Sequence, residues 1–278
     1  MPELSLILCS RNGSRTIKRC LDHIQAMDEA AEIEVVLIDN GSTDDTRAIM
    51  RSFCELHPNL WRTIEETRPG NSAGRNSGIE HSSGEIVLFI DDDCYPEKAF
   101  AVAWKEIFNT NPDLGFGSGR IMPFDSSRSP IGCNTSATHE PLPPATFFRR
   151  GFVQGSNMAF RKQCLLMAGF FDDRFGAGTP FAGEEWDLAL RASFAGWRGG
   201  YFPQPGVAHD HGRSEGDASV RGLYYDIGAG AVYAKHVLSS HAPAALLKLA
   251  GEIFHSRNAS RMRSLAIGAL KYYSVAAK

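Results

Sequence analysis

The stretch GEIVLFIDDDCYP, residues 84–96, decides the fold and marks the first candidate site. Its apolar run, IVLFI, is continuous, which is typical of a strand buried on both faces of a parallel sheet. Asp91, Asp92 and Asp93 follow that run directly. Two unit charges about 4 Å apart repel by roughly 4 kcal/mol at an effective dielectric constant near 20, so three carboxylates need compensation. A divalent cation with oxygen ligands would supply it, and a solvated turn after the strand is the alternative.

The first hundred residues alternate short apolar runs with helical patterns. The pattern predicts strands at 4–9, 34–39, 61–66 and 85–91, and helices at 16–27, 42–56, 72–82 and 96–109. Ser42 is expected to cap the second helix, and Pro96 to occupy the first position of the fourth. This order predicts an α/β fold with a Rossmann-like, mostly parallel central sheet flanked by helices. Ligands of such sheets bind beyond the carboxyl ends of the strands.

The second half of the chain is less regular. Residues 120–150 are rich in Pro, Ser and Thr, so we expect a long loop region there. The elements expected after it are a strand ending at Phe160, helices at 161–168 and 184–197, and a strand-like segment at 199–212 that prolines interrupt. From about residue 218 onward the chain is predicted to be helical.

Composition and charge exclude several classes of protein. The 278 residues are 43% hydrophobic and 22% charged, and the formal net charge of −3 argues against a nucleic-acid partner. Residues 218–278 hold eight Lys and Arg against two acids, a charge of +6, so residues 1–217 carry −9. The six cysteines are scattered, the first residues lack a signal-peptide pattern, and no apolar stretch reaches about 18 residues. We therefore expect a cytoplasmic protein with free thiols and no transmembrane helix.

Two more strand ends carry polar residues. The segment CSRNGS (9–14) follows the first strand, and its N–H groups lie near a helix N-terminus, which favours anions beside Ser10 and Arg11. Asp39 ends the second strand and is a candidate acceptor of hydrogen bonds from a base or a ribose. Each segment taken alone is more typical of an ordinary strand-to-helix connection.

Four stretches of the chain carry a family resemblance. They are SLILCSRNGSRTIKRCLDHI (5–24), EVVLIDNGSTDDT (34–46), RPGNSAGRNSGIEHSSGEIVLFIDDDCYP (68–96) and GSNMAFRKQCLLMAGFFDDRF…GEEWDLALR (155–191). In this order they resemble glycosyltransferase family 2, whose members have the GT-A fold. The resemblance implies a GT-A catalytic domain at 1–217, with a nucleotide-sugar half at about 1–115 and an acceptor half at about 116–217. Residues 218–278 would form a basic, helical C-terminal segment.

The resemblance implies a nucleotide-diphosphate sugar donor in the N-terminal half. Asp39 matches the family's base-binding aspartate, and Arg75 and Asn76 match a segment that lines the nucleotide pocket. Asp91 and Asp93 match the ends of the family's Asp-x-Asp motif, which holds Mg²⁺ or Mn²⁺ on the diphosphate. The expected donor-binding residues are Ser10, Arg11, Asp39, Arg75, Asn76, Asp91 and Asp92.

The segment GEEWDL (183–188) resembles the family's Gly-Glu-Asp motif. The family's catalytic base is the Asp of that motif, and Glu185 stands in its place. A base is needed because the acceptor hydroxyl is a weak nucleophile until it loses its proton, and such relatives invert the anomeric centre. Glu is one methylene longer than Asp, so a catalytic part for Glu184 stays open, and Asp187 is a further carboxylate nearby. The alternative is a surface helix with acids in its first turn.

Two histidines in VAHDHG (207–212) are candidate metal ligands. In many relatives a histidine after this strand completes the metal shell, and His209 has the better register, with His211 in reserve. Residues at i and i+2 on a strand point the same way, so both are candidates for one site. A partly exposed pair of histidines is the alternative.

The same resemblance indicates residues for the acceptor. Trp186 stands beside the expected base and would stack on an acceptor sugar, although a Trp on such a helix is more often part of the core. Gly155, Ser156 and Asn157 match a family segment near the acceptor and the diphosphate, and a simple turn is their alternative.

The C-terminal segment combines apolar residues, basic residues and tyrosines, in YYDIGAGAVYAKHVL (224–238) and in residues 246–275. That mixture is typical of helices that lie on an anionic membrane surface, and relatives often act on lipid-linked acceptors. We therefore weigh peripheral attachment to the inner face of the plasma membrane against packing on the catalytic domain or on a second subunit.

Three hypotheses for the function follow. The first is an inverting, metal-dependent glycosyltransferase that moves a sugar from a nucleotide-sugar to a hydroxyl of a saccharide or lipid-linked acceptor, in the synthesis of a cell-surface polysaccharide or glycolipid. The second is a phosphatase or phosphotransferase with an aspartate nucleophile, disfavoured because FIDDD lies on the fourth strand and is followed by Cys94 and Tyr95. The third is a non-catalytic GT-A-like protein that binds nucleotide-sugars.

Overall fold

The computed structural model describes residues 2–128, 130–212, 215–255 and 258–276. The strands are β1 (Leu4–Ser10), β2 (Glu34–Asp39), β3 (Trp61–Glu65), β4 (Ile86–Asp91), β5 (Cys94–Pro96), β6 (Leu114–Pro123), β7 (Glu140–Leu142), β8 (Met158–Arg161) and β9 (Arg198–His209). The α-helices are α1 (Ile17–Gln25), α2 (Thr46–Leu56), α3 (Asn71–His81), α4 (Phe100–Thr110), α5 (Lys162–Ala168), α6 (Glu184–Phe194), α7 (Glu215–Val237), α8 (Ala242–His255) and α9 (Ala259–Ala276).

The described strands form one sheet in the order β3-β2-β1-β4-β8-β6-β9-β5, with β7 paired to β9. The first four strands of this order are parallel to one another, whereas β8 is antiparallel to both of its neighbours. In the register Ser10 lies opposite Asp39, and Cys9 lies opposite Asp91. The predicted α/β fold with a mostly parallel sheet is therefore confirmed, and three polar strand ends meet at one edge.

The sheet is buried on both faces, as the continuous apolar strands predict. Alternate residues of β1 enter different cores, since Leu6 and Leu8 pack toward α1 and α4, whereas Ile7 packs on the other side. The side of Ile7 also holds the inner residues of α6 and α7, including Leu188 and Val232. Helix α6, which begins with the two glutamates Glu184 and Glu185, is thus anchored in a core of large apolar side chains.

Two helix starts differ from the prediction. Helix α2 begins at Thr46 rather than near Ser42, because the Ser42 N–H bonds to the Asp39 carboxylate and its hydroxyl accepts the N–H of Asn12. Ser42 therefore closes the loop between β2 and α2 and caps no helix. Pro96 ends the short strand β5, which pairs with β9, so α4 begins only at Phe100.

The expected loop at 120–150 is partly wrong, because it includes the end of β6 and all of β7. Strand β6 has the sequence LGFGSGRIMP, in which glycines interrupt the continuous apolar run that identifies the other strands. A Cβ at Gly117 would lie 2.7 Å from the ring of Trp104, so the small residue admits a close neighbour. Strand β6 pairs in parallel with β9, and His209 at the end of β9 lies in the site.

The C-terminal helices pack on the rest of the chain. Asp187 of α6 is fully buried and accepts hydrogen bonds from Lys235 at 2.8 Å and from His236 at 3.2 Å, both on α7. Arg191 of α6 completes this cluster at 2.9 Å. The predicted boundary between 217 and 218 falls inside α7, and the division into domains stays a prediction. Among the described residues, no helix combines the length and the hydropathy that a membrane span requires.

Helices α7 and α9 cross with their backbones in contact. A Cβ on Gly230 of α7 would overlap the carbonyl oxygen of Leu265, and a Cβ on Gly268 of α9 would overlap that of Ile227. The glycines are reciprocal, one on each helix, so neither position admits even a methyl group without a shift of the backbone.

We expect Gly268→Ala to lower the free energy of unfolding by about 1–3 kcal/mol, because the added methyl group would force the two helices apart. The matched control is Gly251→Ala in α8, where the new Cβ would meet no described atom within 4 Å apart from its chain neighbours and the backbone of its own helix turn. That change should raise the stability by about 0.5–1 kcal/mol, since alanine is the better helix former. Urea unfolding of both variants measures the contrast, and a shift in the same direction for both would contradict the close crossing.

Candidate active site

A cavity of about 520 Å³ opens where the carboxyl ends of β1 and β4 meet the start of α6. Most of the residues that the sequence singles out line this one cavity. They are Ser10, Arg11, Arg75, Asp91, Asp92, Asp93, Gly155, Ser156, Glu184, Glu185, Trp186 and His209. Residues far apart in the chain therefore form one site.

The three adjacent aspartates occupy three different environments. Asp91 accepts hydrogen bonds from Arg75 and from Ser156, both at 3.0 Å. Asp92 turns back toward β1 and accepts the hydroxyl of Ser10. Burial raises the pKa of Asp92 to about 7 despite that hydrogen bond, so its carboxyl is partly protonated near neutral pH. Asp93 points to His209, whose Nε2 lies 3.3 Å from the carboxylate.

Four side chains gather in a metal-type cluster at this end of β4. The ligand atoms of Asp91, Asp93, Cys94 and His209 lie within 4.8 Å of one another. His209 reaches the cluster because Cys94 of β5 pairs directly with it across the antiparallel ladder to β9. Burial raises the pKa of the Cys94 thiol well above its ordinary value, and hard cations such as Mg²⁺ and Mn²⁺ prefer oxygen ligands to sulfur.

The remaining donor set is two carboxylates and one imidazole, which fits a divalent cation such as Mg²⁺ or Mn²⁺. Burial lowers the pKa of His209, but the hydrogen bonds with Asp93 and Cys133 and the charges of Asp93 and Asp91 together outweigh it and raise the value to about 10. An imidazole ligates a metal only as the neutral form, so His209 would exchange its proton for the cation.

Arg75 connects the two halves of the cavity. Its guanidinium is only 3% exposed and contacts Asp91 through Nη2 and Glu184 through Nη1, both at 3.0 Å. It stands on α3, which begins after Gly70 and packs on β1 and β2. Gly155 leaves room for it, since a Cβ there would lie 2.5 Å from Nη2. A buried cation with two carboxylate partners fixes the distance between the aspartate cluster and α6.

Two adjacent glutamates begin α6, and they differ in their partners. Gly183 caps the helix with a φ of 104°, a backbone conformation that glycine adopts without strain. Glu184 is buried and engaged by Arg75, whereas Glu185 is half-buried and lines the cavity. Burial and the neighbouring charge of Glu184 raise the pKa of Glu185 well above its ordinary value. A carboxyl of this kind takes up a proton readily, as a general base must.

Four of the expected site residues do not line the cavity. Asp39 is buried against Arg47, with Nε 2.6 Å from its carboxylate. Asn76 forms hydrogen bonds with the backbone of Phe171, and its amide also donates to Asp173.

The other two of these four residues also contact other residues of the chain. Asn157 donates to the carbonyls of Arg120 and Pro205. His211 lies edge-to-face against His209, with ring centroids 5.1 Å apart. Their proposed roles in binding stay predictions.

Trp186 borders the cavity but belongs to the core. Its side chain is 1% exposed, and its ring packs edge-to-face against Phe147 and Tyr233. The indole N–H donates to the carbonyl oxygen of Phe148 at 3.1 Å. This placement agrees with the alternative of a core residue, and stacking on an acceptor sugar stays a prediction.

The sequence did not indicate several residues on the far wall of the cavity. Helix α7 contributes Arg221, Tyr224 and Tyr225, and the loop before β8 contributes Arg150 and Gln154. Tyr224 is fixed by hydrogen bonds from its hydroxyl to the carbonyls of Gly176 and Thr179. The signal in the sequence was the pair of tyrosines after an arginine, in a segment whose composition left a membrane surface, the catalytic domain and a second subunit open as its partner.

Parts of the chain match curated glycosyltransferases in sequence. Glycosyltransferase AglE of Haloferax volcanii is 38% identical over 99 residues, which are 35% of this chain and 33% of that protein. A GalNAc(5)-diNAcBac-PP-undecaprenol beta-1,3-glucosyltransferase of Campylobacter jejuni is 28% identical over 94 residues, 34% of this chain and 30% of that protein. The matches thus span about a third of the length of these curated relatives.

The fold also matches a solved structure. Mannosyltransferase PcManGT of Pyrobaculum calidifontis, solved in complex with GDP-Man and Mn²⁺, superimposes with a TM-score of 0.69 at 20% identity. The alignment covers 98% of this chain and 87% of that one, so the fold is GT-A. The profile named Glycosyl transferase family 2 matches residues 5–165, more than half of the chain. The chain therefore belongs to glycosyltransferase family 2.

Proposed function

We propose that the chain is an inverting, metal-dependent glycosyltransferase that moves a sugar from a nucleotide-sugar to a hydroxyl group. The proposal rests on the arrangement of charged side chains around one cavity. Two carboxylates and an imidazole gather on one side, and Glu185 faces the same space from the start of α6. Arg75 links these two groups through Asp91 and Glu184.

The donor would occupy the side of the cavity that β1 and β4 form. Asp91, Asp93 and His209 would hold Mg²⁺ or Mn²⁺, and that cation would offset the charge that develops on the leaving diphosphate. Ser10 and Arg11 line the same side, and Arg11 forms no ion pair with any described residue. Its positive charge is therefore available for a phosphate oxygen. The solved complex of PcManGT contains GDP-Man and Mn²⁺, which supports this class of donor and cation.

Glu185 is the better candidate for the base. Glu184 already neutralises Arg75 at 3.0 Å, and removing its charge from that pair would leave a buried cation short of a partner. Glu185 forms no ion pair with any residue that the structure describes, and its raised pKa favours taking the proton from an acceptor hydroxyl. A direct displacement by that hydroxyl inverts the anomeric centre.

The acceptor would lie against α7 and the loop before β8. Tyr224, Tyr225 and Gln154 supply hydroxyl, aromatic and amide groups for a sugar ring. Arg221 forms no ion pair with any described residue and would suit an acidic group, such as the phosphate of a lipid-linked acceptor. The Campylobacter relative is named for an undecaprenol-linked substrate, which supports a place in cell-surface polysaccharide or glycolipid synthesis at the inner face of the plasma membrane.

The test is a thermal-shift screen of nucleoside diphosphates and nucleotide-sugars with Mn²⁺, Mg²⁺ or EDTA, followed by an assay of nucleotide release. We expect stabilisation by one nucleotide class that depends on the cation, and release of that nucleotide from the matching sugar donor. Equally tight binding with and without the cation would contradict the metal site. Tight binding with no turnover of any donor would favour the non-catalytic alternative.

A further inference from the structure

We infer that the outer face of α8 is a docking surface for an anionic membrane. The residues of α8 that the structure exposes follow one another at helical spacing, and every one of them is apolar. We call this set the α8 stripe, and it consists of Pro243, Leu246, Leu247, Ala250, Ile253 and Phe254. The inference concerns a surface apart from the cavity and does not depend on the proposed transfer reaction.

The α8 stripe is unusual for a helix at a protein surface. Such helices normally turn their apolar face inward and a polar face to water. In α8 the exposed fractions are 78% for Leu247 and 86% for Phe254, the two most exposed members. Leu246 and Ile253, on the same side of the helix, are 51% and 49% exposed. Contiguous exposed apolar residues of this size mark an interaction site.

The opposite face of α8 is already occupied, so the helix cannot simply turn over. Ala245 is fully buried, and Leu249 packs against the core that includes α7. Glu252 accepts the hydroxyl of Tyr233 and pairs with Arg261 of α9. These contacts hold the helix in one orientation, with the α8 stripe outward.

The charge of the C-terminal helices, with Lys248 on α8 and Arg263 and Lys271 on α9, selects the occupant. Residues 218–278 carry a net charge of +6. Lys235 and Arg261 are neutralised inside the fold, but Lys248, Arg263 and Lys271 form no ion pair with any described residue. A second copy of the chain would bring like charges together across a two-fold interface, whereas an anionic leaflet attracts them.

An interfacial position fits the dimensions of the helix. The stripe runs over twelve residues, or about 18 Å at 1.5 Å per residue, which is enough to lie along the headgroup boundary. Helix α8 packs on α7, and α7 lines the cavity with Arg221 and Tyr224. Docking through α8 would therefore hold the cavity near the membrane.

The test is co-sedimentation of the full chain with vesicles, without donor or metal. We expect binding to phosphatidylcholine vesicles that contain phosphatidylglycerol, weaker binding to phosphatidylcholine alone, and a decrease with added salt. The double variant Leu247→Glu/Phe254→Glu should bind at least about tenfold more weakly, because two apolar anchors become charged. The matched control is Leu56→Glu, which changes a leucine that is 64% exposed at the end of α2 and should bind like wild type.

Several outcomes would overturn the inference. The first is failure of the wild type to bind, and the second is equal binding by the wild type and the double variant. The third is a wild-type dimer in light scattering that is absent in the double variant, which would make a second copy the occupant. All substituted side chains are exposed, so thermal unfolding should not change. If the double variant unfolds nevertheless, Arg263→Glu/Lys271→Glu provides the second arm, and its expected result is loss of the salt-sensitive part of the binding. Donor binding measured on the same variants keeps this outcome separate from that of the proposed transferase.

Discussion

Replacing Glu185 by Gln is expected to lower kcat by about 10²–10⁴-fold and to leave donor affinity nearly unchanged. Gln has the size of Glu but accepts no proton, so only the step that needs a base is affected. Glu185 is half-buried at the start of α6, lines the cavity, and has a raised pKa because of burial and the charge of Glu184. The wild-type rate should fall on acidification through this raised pKa, beginning above the ordinary glutamate value of about 4.3.

The matched control is Glu184→Gln. It removes one of the two charges that hold Arg75, so we expect weaker donor binding or lower stability with a smaller effect on kcat. Glu185→Asp keeps a carboxylate and should retain more activity than the Gln variant. Steady-state kinetics and donor titrations on the three variants separate these effects. Normal transfer by Glu185→Gln, with the large loss in Glu184→Gln instead, would move the base to Glu184.

The donor side of the site could be predicted from local patterns. Continuous apolar runs identify β1, β2 and β4. Parallel strands place their carboxyl ends at the same edge of the sheet, so Ser10 and Asp91 were expected to lie together at that edge. The same logic did not tell which polar groups turn into the cavity. Asp39 stands at the same edge, yet its carboxylate is taken by Arg47.

The other side of the site depends on contacts between distant residues. His209 stands beside Asp93 because β5 pairs with β9, and β5 is a three-residue strand that no periodicity reveals. Adjacent residues of a helix point about 100° apart, so the choice between Glu184 and Glu185 needed the position of Arg75. The composition of the C-terminal segment left packing on the catalytic domain as one alternative, without indicating that α7 lines the cavity.

Replacing Asp93 by Ala is expected to weaken nucleotide binding in the presence of Mn²⁺ by more than about 100-fold. Losing a residue that only hydrogen-bonds to a metal ligand typically weakens metal binding by about 10–100-fold, so a larger loss indicates a direct ligand. Asp91 is shared with Arg75 and Ser156, and Asp92 is held by Ser10 with a pKa of about 7. Asp93 is thus the carboxylate of the triplet that is most committed to the cluster with His209.

Calorimetric titration of a nucleoside diphosphate with Mn²⁺ and with EDTA measures this effect. In EDTA, Asp93→Ala should bind like wild type, because the lost interaction runs through the cation. Asp92→Asn should keep most of the response to Mn²⁺, since that carboxyl is partly protonated already. The distant control Asp22→Ala removes an exposed acid that pairs with Lys18 and should leave both titrations unchanged. An undiminished response to Mn²⁺ in Asp93→Ala would refute the assignment of Asp93 as a metal ligand, whatever the variant's activity.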